Sequence, residues 1–286
     1  MWNPFNRNTI SNSSASKRSL QLITQKGMPF AYVEAYKALR TNLNFLSGSG
    51  DVHAFVVTST VPEEAKSNVS VNLALALTES GKKVVLVDCD LRKPVLHRYL
   101  KAGHNLKGVS NVLSRQVALS DALVELKDIP NLTFLPAGTT PPNPSELLSQ
   151  PQMQEMVDTL RGSYDFVILD APLISMVTDA AVIGRIVDGA LFVVRSKYAS
   201  TDAVKTALEK LQDAGVKVLG AVLTRYDAKK SLKRSDYGYG YYYYNSNYSY
   251  GPPDGISESA AKKSGLTSKK QHNGKEKHSV HTEDEA

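Results

Sequence analysis

The stretch Val57-Thr58-Ser59-Thr60-Val61-Pro62-Glu63-Glu64-Ala65-Lys66-Ser67-Asn68 decides the fold of this chain. A short apolar run, 54–57, leads into a turn carrying Pro62. Lys66-Ser67 then opens a segment with Leu73, Ala74 and Leu77 at helical spacing. Strand, loop and helix in this order, ending in Lys-Ser, outline a nucleotide-binding P-loop. The lysine offers a cation to the β- and γ-phosphates, the serine a hydroxyl to Mg2+, and the helix N-terminus its amides and dipole to an anion. The loop contains no glycine.

Outward from this stretch, residues 54–226 alternate short apolar runs with helical patterns. Strands are predicted at 54–58, 83–88, 132–136, 166–170, 190–195 and 218–224. They lack strict alternation, as expected for parallel strands buried on both faces. Helices are predicted at 67–80, 120–126, 152–161, 178–187 and 201–214. The order implies an α/β fold of the P-loop NTPase kind, a doubly wound, mostly parallel sheet flanked by helices. Ligands in such sheets bind at the carboxyl ends of the strands.

Three acids stand at those ends. Asp88 and Asp90 close the run 84–87 in Val84-Val85-Leu86-Val87-Asp88-Cys89-Asp90-Leu91-Arg92-Lys93-Pro94. Two carboxylates at this spacing can share a cleft and hold or activate groups around Mg2+, or they can cap a strand end. Arg92 and Lys93 add charge near a phosphate or pair with those acids. Asp170 follows Phe166-Val167-Ile168-Leu169 and has the form of a Walker B acid near Mg2+ or its waters.

Before the loop, residues 1–28 lack periodicity, and 30–46 reads as an amphipathic helix with Tyr36, Leu39, Leu43 and Leu46 on one face. Glu34, Lys37 and Arg40, three apart, form a charged row that is either a solvated face or a subunit-contact ridge. After Asp227 the character changes. A basic run, 229–234, precedes Tyr237, Tyr239, Tyr241, Tyr242, Tyr243, Tyr244, Tyr248 and Tyr250, eight of the chain's 14 tyrosines. The cluster reads as a sticky aromatic tail or as an array of phosphoacceptors. Residues from 251 have the composition of disorder. The organisation expected is a flexible basic N-terminus (1–28), a contact helix (29–50), a nucleotide-binding domain (51–227) and a tyrosine-rich tail (228–286).

Charge and cysteine content narrow the function classes. The net charge of +6 is carried by the ends: +5 over residues 1–50 and +3 over 228–286, leaving −2 between. A nucleic-acid enzyme would put its basic stripe on the folded core, so nucleic acid is not an expected partner. Basic ends suit solubility or an anionic membrane surface. The single cysteine, Cys89, excludes an internal disulfide framework and fits a reducing cytoplasm. No apolar run approaches the 18 or so residues of a membrane span, and no secretory signal is evident.

Together these residues resemble the bacterial tyrosine kinases (BY-kinases) of capsule and exopolysaccharide assembly, over roughly residues 30–250. The most specific parts are VVLVDCDLRKP (84–94), FVILDAP (166–172), PAGTTPPNPSELL (136–148) and the C-terminal tyrosines. The resemblance implies the fold of the partition and division ATPases, binding of Mg2+ and ATP, and phosphorylation of tail tyrosines on neighbouring subunits. It places Lys66 and Ser67 in Walker A, with Glu64, Ala65 and Asn68 beside them on the nucleotide. Asp88 and Asp90 fall in a second Walker-like motif, and Asp170 in Walker B. Catalysis is then assigned to Asp88, Asp90 and Lys66, metal binding to Ser67, Asp88 and Asp170, and the region of the base to Thr224. Glu34, Lys37 and Arg40 match the family's oligomerisation ridge, with Lys for its first Arg. A membrane adaptor of the polysaccharide co-polymerase type, an opposing tyrosine phosphatase and a homo-oligomer are implied as partners. The implied location is cytoplasmic, at the inner face of the membrane.

The chain departs from that family in two places. Family loops read Pro-Gly-Glu-Gly-Lys-Ser-Thr, whereas here Glu63 and Ala65 replace the glycines and Asn68 the threonine. Glu63 and Ala65 each add a Cβ where backbone and phosphate meet. A Glu63 carboxylate at about 7 Å from the polyphosphate, with an effective dielectric near 20, costs about 2 kcal/mol, or roughly 30-fold in affinity. Thr224 stands where the family often has Asn near adenine. The sequence therefore supports an active autokinase first and an impaired pseudokinase acting as a regulatory binding module second. A partition-type ATPase ranks last, because Val61-Pro62 occupy the place of that class's extra lysine.

Overall fold

A computed structural model describes residues 21–48, 52–103 and 105–226. The tyrosine cluster, the basic run at 229–234 and residues 1–20 lie outside the described residues.

Helix α1 (Phe30–Gly48) precedes β1 (Ala54–Ser59), α2 (Lys66–Glu79) and β2 (Val84–Asp88). Short helices α3 (Leu96–Tyr99), α4 (Val109–Leu113) and α5 (Leu119–Ala122) lead to β3 (Val124–Glu125) and β4 (Leu132–Leu135). Then come α6 (Pro144–Leu148), α7 (Pro151–Ser163), β5 (Phe166–Asp170), α8 (Asp179–Gly184), β6 (Ala190–Arg195), α9 (Thr201–Asp213) and β7 (Val218–Thr224). The seven strands form one sheet in the order β3-β4-β2-β5-β1-β6-β7, parallel throughout except for β3.

The predicted parallel sheet is present, and its burial explains the missing alternation. Every residue of β1, β2 and β5 is buried. Their side chains point in turn to two cores. Val56, Val85, Val87, Val167 and Leu169 pack with Met153, Leu160, Ile183 and Leu211 of α7, α8 and α9. Phe55, Val57, Leu86 and Ile168 pack with Leu73 and Leu77 of α2 and with Tyr36 and Leu43 of α1. The helix at 30–46 is thus joined to the same domain, although Leu46 remains largely exposed. Among the described residues no helix is long and apolar enough to cross a membrane.

One predicted helix is wrong. The pattern at 120–126 suits a helix, but α5 stops at Ala122, and Val124 and Glu125 pair antiparallel with Phe134 and Thr133 of β4. Leu119, Ala122 and Leu123 pack on one core while Val124 and Leu126 pack on the other. The segment rounds the sheet edge, which one continuous helix cannot do, so tertiary pairing overrides local periodicity.

Close packing also fixes two glycines beyond β4. Val109 and Ser110 at the start of α4 donate N–H bonds to the carbonyls of Pro136 and Ala137, at 2.8 and 3.0 Å. A Cβ on Gly108 would lie 1.9 Å from the Pro136 oxygen, and Gly138 has a φ of +83° with Asn111 and Ser110 against it. Gly108→Ala should therefore cost about 3 kcal/mol or more of stability, since backbone must move. A urea midpoint unchanged from the parent chain would show this packing to be softer than drawn.

Candidate active site

Strands β2, β5 and β1 lie side by side, so their carboxyl ends bring Asp88, Asp170 and the loop 60–66 to one place. Asp88 and Asp170 are directly paired residues of β2 and β5. Lys66, at the first turn of α2, turns its ammonium into this corner. Its Nζ lies 2.8 Å from Asp170 Oδ2 and 3.2 Å from Ser67 Oγ. Ser67 Oγ donates to the same Oδ2 at 2.7 Å, and Ser70 Oγ donates to Oδ1 at 2.8 Å. Asp170 is fully buried and Lys66 nearly so. The sequence found all of these except Ser70, which signals itself only by standing one turn after Lys66.

Asp88 and Asp90 organise the loop after β2. The Asp90 and Leu96 N–H groups donate to the two oxygens of Asp88, each at 3.2 Å, and the Lys93 N–H donates to Asp90 Oδ1 at 3.0 Å. Burial, then the adjacent Asp170, push the Asp88 carboxyl up to about 8, against the opposing pull of Lys66. Burial also raises Asp90, and the thiol of Cys89 between them is driven up in the same way. Arg92 does not pair with these acids; it reaches Asp179 instead.

The shift at Asp88 has a defined sign. Its folded value lies above the unfolded value of about 3.9, so the native state holds a proton that the unfolded chain releases. The stability this contributes is fully present below about pH 4 and is lost as pH rises toward 8. In metal-free protein, the gain in melting temperature on Asp88→Asn should grow between those limits and level off above about pH 8. A gain independent of pH would contradict it.

The loop keeps the conformation that glycine would adopt. Glu63 and Ala65 have φ values of +70° and +71°, in the left-handed region, and Ala65 is the N-cap of α2. Contacts of Glu64, Thr224 and Arg195 hold it there. Glu64 is buried, and its carboxylate accepts the N–H groups of Thr60 (2.7 Å), Val61 (2.9 Å) and Arg195 (3.2 Å). Thr224 Oγ1 donates to the Glu64 carbonyl at 2.9 Å. Glu63 Oε2 lies 4.0 Å from Arg195 Nη1, and the Arg195 guanidinium stacks 4.0 Å above the Tyr198 ring.

These contacts alter the sequence reading of three residues. Glu64 and Thr224, expected on the nucleotide, have side chains committed to bracing the loop. Asn68 turns toward α1, where its Oδ1 accepts from Tyr32 Oη (2.9 Å) and Tyr36 Oη (3.3 Å) and its Nδ2 donates to the Gln21 carbonyl. What Glu64, Ala65 and Asn68 can offer an anion is backbone at the N-terminus of α2. The expected ridge is divided too. Lys37 bonds Glu34 at 2.8 Å, both partly exposed, whereas Arg40 donates to the Ala76 carbonyl of α2 in the same chain.

The donor set fits a nucleotide with a divalent cation. Asp88 and Asp170 face one ammonium, a net −1 when both are ionised, so an added cation would offset the field that now raises Asp88. Among the described residues no three of His, Cys, Asp and Glu are placed to hold a metal by themselves. That suits Mg2+, which keeps waters and arrives with phosphate oxygens. Among the described residues the buried hydroxyls of Ser59 and Thr60, at and just past the end of β1, have no hydrogen-bond partner.

This fold and corner define a P-loop nucleotide-binding domain. Residues 64–218 match the AAA domain family. The chain is 37% identical to the tyrosine-protein kinase YwqD of Bacillus subtilis over 205 residues, 72% of this chain and 84% of that protein. It superposes on the kinase domain of the Escherichia coli tyrosine kinase ETK with a TM-score of 0.64 at 33% identity, covering 68% and 77% of the two chains. It also superposes on the septum site-determining protein MinD of Pyrococcus horikoshii, solved with Mg-ADP, with a TM-score of 0.53 at 25% identity, covering 65% and 72%. The chain belongs to the bacterial tyrosine-protein kinase family.

Proposed function

We infer that this chain is an ATP-dependent protein-tyrosine autokinase of capsular polysaccharide or exopolysaccharide assembly, acting on its own C-terminal tyrosines. The observation that carries this reading is the corner where Lys66, Ser67 and Asp170 meet within 3.2 Å of one another beside Asp88. Bound ATP with Mg2+ supplies the transferable phosphoryl group. Lys66 Nζ and the α2 amides would hold its phosphates, and Ser67, Asp88 and Asp170 would hold the cation directly or through water. Asp88 takes the proton of an incoming tyrosine hydroxyl. As a strand-end carboxylate beside the Lys66–Asp170 pair, it is the candidate general base. Asp90 supports the same loop.

The acceptors are Tyr237, Tyr239, Tyr241, Tyr242, Tyr243, Tyr244, Tyr248 and Tyr250. Each phosphate adds about −1.5 to −2 charges, so two already cancel the net +3 of residues 228–286. Repulsion between several phosphorylated tails would loosen an oligomer joined at the α1 ridge, where Glu34 and Lys37 are partly exposed and Arg40 would have to share its bond to Ala76. A membrane adaptor of the co-polymerase type would hold the kinase at the inner face of the membrane and activate it, and a tyrosine phosphatase would reset the tail.

A second reading, a pseudokinase that regulates assembly by docking, is favoured by one observation: two non-glycine residues sit at positive φ where phosphate must approach. Calorimetric titration with ATP and Mg2+ separates the two. Saturable binding by the unaltered chain supports the kinase; undetectable binding that returns on Glu63→Gly with Ala65→Gly supports the pseudokinase.

A further inference from the structure

The segment 136–148 and the buried Asp179 have no role in the chemistry above, yet they meet at the loop that carries Asp88 and Asp90. Asp179 opens α8 and is completely buried. Its Oδ2 accepts Arg92 Nε at 2.9 Å, and its Oδ1 accepts Arg92 Nη2 at 3.0 Å and Ser145 Oγ at 2.5 Å. Arg92 Nη2 also donates to Ser145 Oγ at 2.8 Å, which closes a ring of three side chains from three parts of the chain. A guanidinium held by two parallel bonds has its plane fixed as well as its position, unlike an ammonium.

The placement of Arg92 gives this ring its consequence. Arg92 lies two residues beyond Asp90, whose carboxylate fixes the Lys93 amide, and Asp90's own amide is fixed by Asp88. Asp88 itself is fixed by β2, in register with Asp170, whereas Asp90 lies in the loop and its bond to Lys93 would travel with that loop if it shifted. The Arg92 fork ties the loop 87 residues onward to α8, and Ser145 ties it to α6, so Asp90 is held against the body of the domain. Arg92 Nε and Nη2 are thus both engaged by this ring.

Resting on the kinase reading, we propose that Asp179 is a positioning residue. With Ser145 it holds Arg92, and through Arg92 it sets Asp90, beside the strand-fixed Asp88, in register for the cation that accompanies the nucleotide. The test compares ADP affinity with and without Mg2+, by calorimetry on the full chain and its variants. In the unaltered chain Mg2+ tightens ADP. Asp179→Asn should leave the Mg2+-free Kd within about 3-fold but reduce the Mg2+ enhancement by about 10-fold, the scale on which outer-shell partners of metal ligands act. Arg92→Lys should lose the enhancement similarly, since an ammonium cannot reproduce the fork. Ser145→Ala, which leaves the ion pair, should fall between.

A full Mg2+ enhancement in Asp179→Asn, with only a lower melting temperature, would overturn the proposal and leave a structural ion pair. If that variant fails to fold, the same ratio in Arg92→Lys and Ser145→Ala decides. An unaltered chain that binds ADP but transfers no phosphate to tyrosine removes the kinase reading, while the ratio still judges Asp179. An unaltered chain that binds no ADP in either condition removes both.

Discussion

Replacing Lys66 with methionine should weaken ATP binding by about 100-fold and abolish tyrosine phosphorylation, the scale on which single preorganised donors act. Lys66 has two duties, and the substitution removes both. Its ammonium is the cation that the proposed phosphates would meet at the helix N-terminus. It is also the buried partner of Asp170, 2.8 Å away. Taking one partner from a buried ion pair costs about 3–5 kcal/mol, because the remaining charge is left uncompensated. Loss of activity by unfolding must therefore be told apart from loss of binding. The double variant Lys66→Met with Asp170→Asn does this. Removing both charges should recover most of the melting temperature while nucleotide binding stays lost. Recovery of binding together with stability would show that Lys66 serves the fold alone.

Restoring the two loop glycines should act in the opposite direction. Glu63 and Ala65 hold the left-handed conformation, which costs roughly 1–2 kcal/mol for each non-glycine residue. Glu63→Gly with Ala65→Gly should tighten ATP binding by about 10-fold and raise stability slightly, the relief of strain being partly offset by the freer unfolded chain. The expected gain is smaller than the 30-fold that a bare carboxylate implies. Glu63 stands 4.0 Å from Arg195 and is 40% exposed, so solvent and a cation already screen it. Glu63→Gln separates the contributions, since it removes the charge and keeps the strained backbone. If ATP affinity is the same in the parent, Glu63→Gln and the double glycine variant, neither charge nor strain limits this loop.

The sequence made the nucleotide corner legible because its parts are local. A Lys-Ser pair after a strand and an aspartate ending an apolar run each announce themselves within a few residues. Their meeting was expected from the rule that ligands gather at strand carboxyl ends, and the pairing of Asp88 with Asp170 is its realisation. The bracing of the loop was not legible. Glu64 holds amides of its own turn but also that of Arg195, and Thr224 reaches Glu64 from 160 residues away. Nothing in a stretch of sequence shows that a carboxylate is spent on backbone donors rather than on a ligand. The same holds for Asn68, whose partners Tyr32 and Tyr36 come from α1, and for Arg92, whose partner lies far along the chain. Residues 120–126 failed for a related reason: their apolar positions serve two cores on opposite faces of the sheet.

Mass spectrometry of the tail peptides, after the full chain is incubated with Mg2+, ATP and the cytoplasmic segment of a co-polymerase adaptor of the proposed kind, tests the autokinase reading. Phosphate is expected on several tyrosines between Tyr237 and Tyr250, and none in the Lys66→Met variant. An unmodified tail on a chain that calorimetry shows to be saturated with ATP would contradict it.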